Sequence, residues 1–388
     1  MKLFDNTETA FKLKTDSELE RAYFLFKMIQ NQPMVRIGTA VTNFALKAHL
    51  PVEGLIRSTV FDHFCGGVTE DDCLPNIEKM HQKANVHSIL DYSVEGKEDE
   101  EQFDDALKMT LKTIDFAEEK QSIPYAVFKP TGFGRFALYE KIGERQELTV
   151  DEKSEWIRVL ERFHTVCKAA LQKDVPLLID AEESWIQDPV DDLATAMMQK
   201  FNTARAFVYN TFQLYRHDRL AFLQDGIKHA QNNGYKLGAK IVRGAYMEKE
   251  RERAEEKGYP SPICADKQTT DQNYNAGIDY MLTGHGLSLY AGTHNEQSTL
   301  KVMQLAKEKG LAKDNKTIWF GQLYGMSDHI SFNLASAGFN VAKYLPYGPV
   351  KEVLPYLSRR AQENSSVKGQ AGRELSLIIN EIKRRKSK

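Results

Sequence analysis

Two adjacent arginines beside a tyrosine are the most chemically pointed feature of this sequence. In YLSRRAQEN, residues 356–364, helical periodicity sets Tyr356, Arg359, Arg360 and Glu363 on one face at i, i+3, i+4 and i+7. A guanidinium group binds a carboxylate through two parallel hydrogen bonds, so such a pair can clamp a small organic acid. The same spacing also describes an ordinary solvated face on which Arg359 and Glu363 form an i,i+4 ion pair. A second segment, KIVRGAY (240–246), ends an apolar run with Lys240 and Arg243 and continues into Gly244 and Ala245. Small residues there would let a flat cofactor approach the backbone, although a plain strand exit has the same pattern. LLIDAEES (177–184) crowds Asp180, Glu182 and Glu183 at the end of another run. No histidine with ligand spacing accompanies them, and hard-metal sites recruit more oxygens. Hydrogen bonding or substrate positioning is the reading, and no metal is expected.

These groups need elements to hold them. Eight short apolar runs recur from residue 86 onward: 86–92, 123–129, 175–180, 206–212, 236–242, 287–292, 317–322 and 340–345. Stretches with helical periodicity, such as 101–120 and 298–309, lie between them. Strands alternating with helices predict a parallel sheet, and eight such units predict a closed (βα)8 barrel of the TIM type. The widest gaps follow the second and fifth runs, where insertions are expected. Residues 1–85 are predicted as a helical arm, with Leu19, Tyr23, Phe26 and Ile29 at helical spacing and Asp16 or Ser17 as the cap. The barrel then covers 86–388. Each run stops on groups able to do chemistry: Asp91 and Glu95; Lys129; Asp180 and Glu182; Gln213; Lys240 and Arg243; Thr293, His294 and Asn295; Gln322; Tyr344. Active sites of such barrels sit at the carboxyl ends of the strands.

Several function classes fall away. The formal charge of −2 gives no field that would recruit nucleic acid. No run of apolar residues reaches membrane-spanning length, and the first sixteen residues read as neither a secretory signal nor an Arg-rich transit peptide. Four cysteines without a CxxC pair point to a reducing cytoplasm. TGFGRFA (131–137) matches a dinucleotide fingerprint, but the next run starts only at Val175, so the compact βαβ unit is missing. His81 and His87 are expected on the surface. The basic tail KRRKSK (383–388) could touch anionic headgroups.

Taken in order, FKPTGFGR, DAEES, NTFQLY, GAKIVRGAY, GTHN, FGQLYGM, YLPYGP and YLSRRAQENSS resemble the proline dehydrogenase family from about Phe64 to Lys368. The resemblance implies a distorted (βα)8 barrel that binds FAD non-covalently and oxidises L-proline to Δ1-pyrroline-5-carboxylate. Electrons would pass to a quinone, with peripheral membrane contact; a hydroxyproline dehydrogenase or a related flavin barrel oxidoreductase is the alternative. By matching position, Arg359 and Arg360 look like the clamp for the proline carboxylate, helped by Lys129. Tyr344, Tyr356, Leu323 and Ala245 look like pocket walls, with Asp180 bonding the Tyr344 hydroxyl and Glu95 gating through Arg359. Gln213, Lys240, Arg243, Gly244, Ala245, Tyr246, Thr293, His294, Asn295, Gln322 and Glu363 look like FAD contacts. One departure is that Lys240 and Arg243 exchange the order that many bacterial members carry. A cation still stands at the flavin N5 position, but as a point donor and not a planar fork.

Overall fold

The computed structural model describes residues 2–30, 53–93, 98–284, 286–366 and 370–387. Eight strands follow one another: β1 (His87–Tyr92), β2 (Ala126–Phe128), β3 (Leu177–Ile179), β4 (Val208–Gln213), β5 (Leu237–Val242), β6 (Leu287–Gly292), β7 (Ile318–Leu323) and β8 (Val341–Tyr347). Every expected run overlaps one of them, and β4, β7 and β8 extend one or two residues past their runs. The two longest described helices before β1 are α1 (Asp16–Ile29) and α2 (Glu70–Ala84). Between strands run α3 (Glu100–Glu118), α4 (Phe136–Gly143), α5 (Val150–Gln172), α6 (Ser184–Phe201), α7 (Arg219–Asn233), α8 (Met247–Lys257), α9 (Lys267–Thr283), α10 (Glu296–Glu308) and α11 (Asp328–Ser336). The chain closes with α12 (Val350–Ser366) and α13 (Gln370–Lys386). The expected insertions are real, since two helices stand after β2 and two after β5. All observed strand pairs are parallel, and strands alternate with helices in (βα)8 order.

The chain forms two compact units, residues 96–321 and residues 1–95 with 322–388. In the first, β2 to β6 and the start of β7 pair in sequence order. Their registers include Phe128 opposite Ile179, Thr211 opposite Lys240 and Gly292 opposite Gly321. β4 is buried along its whole length, as a strand covered on both faces must be. Tyr125 meets Tyr209, Tyr290 and Trp319 edge-on at centroid distances of 5.5, 5.6 and 5.5 Å. Gly321 allows this packing, because a Cβ there would lie 2.3 Å from the Tyr290 ring.

In the second unit β1 pairs with β8 from His87–Ala342 to Tyr92–Tyr347. The start of α1 differs from expectation. Thr15 is the cap, its hydroxyl receiving the Glu18 N–H at 3.2 Å while its own N–H donates to the Glu18 carboxylate at 2.6 Å. Asp16 takes the first helical position instead, where its charge faces the positive end of the helix dipole. Leu19, Ala22 and Phe26 of α1 pack on Leu377 and Ile378 of α13. The basic tail is docked: Arg384 pairs with Glu8 and Glu381, and Arg385 with Asp16 and Glu381. His87 is half-buried rather than on the surface, with Nδ1 3.2 Å from the Val341 carbonyl, and burial lowers its pKa to about 4. Among the described residues no helix is long and apolar enough to cross a membrane.

Candidate functional site

Within residues 96–321 the strand ends converge on one carboxylate. Asp180, just past β3, accepts from Lys240 Nζ of β5 at 2.5 Å and from Lys129 Nζ after β2 at 3.1 Å. The side chains of Lys240 and Asp180 are 9% and 14% exposed, so the pair is shielded from solvent. Burial alone would raise the Asp180 pKa, but the two ammonium charges win and hold it at about 2. The three strands therefore meet in a fixed cation–carboxylate–cation bridge.

Gln213 ends β4 and is fully committed. Its amide donates to the Glu182 carbonyl at 2.7 Å, and its oxygen accepts from the Ala245 N–H at 3.2 Å. Gly244 has a local reason to be glycine. Its φ is +148°, and a Cβ would stand 2.3 Å from the Tyr215 ring. Arg243 spends its donors on its own scaffold: Asp271 at 2.7 Å, Thr293 Oγ1 at 2.8 Å and Ser298 Oγ at 3.0 Å. Its guanidinium also lies 4.4 Å from the Tyr274 ring centroid. Asn295 caps α10 by accepting from the Gln297 and Ser298 N–H groups, and its own N–H donates to Thr293. His294 sits half-buried on this turn. The fold brings these residues together around the ends of β4, β5 and β6, and their mutual bonding becomes visible only there.

Glu182 carries more bonds than the sequence indicates. It is 3% exposed. One carboxylate oxygen accepts from the Thr131 hydroxyl at 2.7 Å and the Thr131 N–H at 3.1 Å. The other accepts from the Tyr246 hydroxyl at 3.2 Å. Burial first, then the neighbouring Glu183 charge, push its pKa up to about 7. The three-acid cluster is the only sequence signal for it. Among the described residues no group of acidic, histidine or cysteine side chains could hold a metal.

Within the second unit Tyr344 lies buried on β8, and its carbonyl accepts from the Tyr324 N–H at 2.8 Å. Tyr356 and Arg360 are both buried on α12, with the guanidinium 5.1 Å from the tyrosine ring centroid. Arg359 is half-buried beside them. Leu323, at the end of β7, packs on the apolar cluster that contains Tyr356. Gln322 is buried, its side-chain oxygen accepting from Ser331 at 2.8 Å. The adjoining turn is held by residues not expected from sequence: Lys343 bonds the Met326 carbonyl and Asp328, each at 2.6 Å, and Lys14 pairs with Asp328 at 3.3 Å. Glu95 and the side chain of Glu363 lie outside the described residues.

The donor chemistry suits an electron-rich planar cofactor. A buried ammonium on β5, a second lysine after β2 and a backbone N–H at Ala245, held in place by Gln213, are gathered around Asp180 and Gln213. Cations and fixed N–H groups stabilise a ring system that gains negative charge on reduction.

A family model described as proline dehydrogenase matches residues 73–373. The carbapenem antibiotics biosynthesis protein CarD of Pectobacterium carotovorum subsp. carotovorum is 36% identical over 354 residues, 90% of this chain and 91% of that protein. Proline dehydrogenase 2, mitochondrial, of Arabidopsis thaliana is 32% identical over 91% of this chain and 84% of its own length. A hydroxyproline dehydrogenase of Xenopus laevis is 30% identical over 97% and 88%. Among solved structures, proline utilization A of Bdellovibrio bacteriovorus inactivated by N-propargylglycine superposes with a TM-score of 0.73 at 19% identity. The match covers 93% of this chain and 38% of that one, so this chain spans well under half of that protein. The likeness shows the fold, a (βα)8 barrel of the TIM type.

Proposed function

The chain belongs to the proline dehydrogenase family, and from that premise we propose that it is a flavin-dependent oxidoreductase converting L-proline to Δ1-pyrroline-5-carboxylate. FAD is the flavin and a quinone the electron acceptor in this reading, reached through peripheral contact of a cytoplasmic protein with a membrane. The observation that carries it is the Lys129–Asp180–Lys240 bridge, because it fixes two cations, one after β2 and one on β5, on the face where the family places cofactor and substrate.

The residues divide the work. Arg359 and Arg360, with Lys129, bind the proline carboxylate and turn binding energy into orientation of the ring. Tyr344, Tyr356 and Leu323 supply apolar walls that exclude water from the substrate, and Ala245 and Asp180 are assigned to the same substrate. Gln213, Arg243, Gly244, Ala245, Tyr246, Thr293, His294, Asn295, Gln322 and Glu363 hold the cofactor, and Lys240 places a positive charge at its N5 edge. The flavin, when bound, supplies the acceptor for the hydride that leaves the ring carbon beside nitrogen.

The test is an anaerobic titration of the purified protein with L-proline, following flavin absorbance over roughly 350–500 nm. Bleaching by L-proline and not by D-proline is the expected result. A yellow protein that stays oxidised overturns the substrate, and a colourless one that FAD does not reconstitute overturns the flavin. The Xenopus relative makes hydroxyproline the second substrate to try. A 4-hydroxyl would meet Tyr344, which favours proline.

A further inference from the structure

Each residue of the segment 180–184 except Ala181 reaches a different part of the same unit. Asp180 takes Lys129 and Lys240; Glu183 takes Lys249 of α8 at 2.9 Å; Ser184 donates from its N–H and its hydroxyl to Glu250, each at 2.6 Å. Glu182 lies at the centre. Its carboxylate joins the turn after β2, through Thr131, to the turn after β5, through Tyr246, while its carbonyl holds Gln213 of β4. Thr131 follows Lys129 by two residues, and Tyr246 follows Ala245 directly. Both turns therefore carry groups assigned above to cofactor and substrate, and neither is tied to the other by a ladder bond at these positions.

We propose that Glu182 is a positioning residue: it fixes the turns after β2 and β5 against Gln213 so that Ala245 and Tyr246 meet the flavin, and Lys129 the substrate carboxylate, in one geometry. This rests on the flavin reading above. The ionised carboxylate offers acceptors to all three donors at once. A protonated or amidated group keeps one full acceptor oxygen and turns the other position into a donor, so the Tyr246 hydroxyl must switch from donating to accepting and that turn loses its charge-assisted anchor.

The charged and titratable groups around Glu182 are Glu183 on its own segment, Lys129 after β2, Tyr139 on α4 and Tyr246 after β5. Burial and Glu183 favour the protonated form, while Lys129 and the Thr131 donors favour the anion. With the balance near neutrality, the anchor loosens as pH falls below about 7.

The experiment measures flavin release from the full-length holoprotein on dilution, by the rise in flavin fluorescence, in wild type and in Glu182→Gln. Readings are taken at about pH 6 and about pH 8, either side of the midpoint. The wild type is expected to bind several-fold more weakly at the lower pH. Glu182→Gln is expected to bind roughly tenfold more weakly at the higher pH, about one lost hydrogen bond, and to show no pH dependence across this range. Equal affinity and an unchanged pH profile in the variant overturn the proposal. Should Glu182→Gln fail to fold, Thr131→Val removes one donor to the anion and must shift the wild-type midpoint upward; an unmoved midpoint overturns the proposal equally. A wild type that binds no flavin overturns this inference and the flavin reading together, whereas a flavin-bearing wild type with an insensitive variant overturns this one alone.

Discussion

Asp180 and Asp328 are both buried carboxylates held between two lysines, and both are therefore acid-labile points. Lys343 and Lys14 hold Asp328 well below the ordinary carboxylate range against a large burial penalty. A depressed folded pKa contributes stability that is complete above the unfolded value of about 4 and is lost as pH falls through the folded value. For Asp180 that window closes at about 2. Asp328→Ala leaves Lys343, 1% exposed, without its carboxylate. We expect a loss of about 3–5 kcal/mol in urea unfolding at neutral pH, and a loss under 1 kcal/mol, roughly the worth of an exposed pair, would show the bridge to be incidental. Asp180→Asn should lower kcat on the order of tenfold or more, because Lys240 loses the anion that orients it. Tyr344→Ser should raise the ratio of kcat/KM for hydroxyproline over proline, and an unchanged ratio would remove Tyr344 from the ring-facing wall.

At the scale of elements, the turn after β7 is where backbone geometry and neighbours leave least freedom. Gly325 has φ +76°, and a Cβ there would lie 2.2 Å from the His63 carbonyl. Ser327, two residues on, is also left-handed at φ +51°, its N–H held by the Glu374 carboxylate at 2.9 Å. Gly325→Ala should cost on the order of 2 kcal/mol or more. Gly226→Ala, inside α7 with nothing within 4 Å of its Cβ, should stabilise by about 0.5–1 kcal/mol. Paired urea curves with opposite shifts are the expected outcome. The contrast also marks what a sequence reveals. The eight strands were legible because buried parallel strands read as continuous apolar runs, and their chemistry-bearing ends because that is where such runs stop. The helix start at Thr15 was missed by one residue, since Thr15, Asp16 and Ser17 can each cap and only the reciprocal Glu18 bond decides. Glu182 bonds partners 51 and 64 residues away. No local pattern encodes such a separation, so its neighbours were invisible in a single sequence.

At the scale of the whole chain, the termini are structural partners. Glu381 is fully buried yet ionised, held by Arg384 and Arg385, and those arginines reach Glu8 and Asp16 near the amino terminus. Replacing both arginines with alanine strands that charge and should lower the melting temperature by several degrees. Co-sedimentation with anionic vesicles should not change, because these two cations are already engaged within the protein. A loss of vesicle binding would assign the tail to the membrane instead.

The three tryptophans give the chain an optical readout. Trp319 is enclosed with Tyr125, and Trp156 meets Tyr139 edge-on at 5.5 Å. Trp185 carries a guanidinium, Arg253 of α8, 4.6 Å from its ring, one residue beyond the Ser184–Glu250 contact. A cation at that face shifts indole emission, so any event that pries α8 from the start of α6 registers as a change of colour in Trp185. The segment that gathers the strand ends thus sits beside its own lamp.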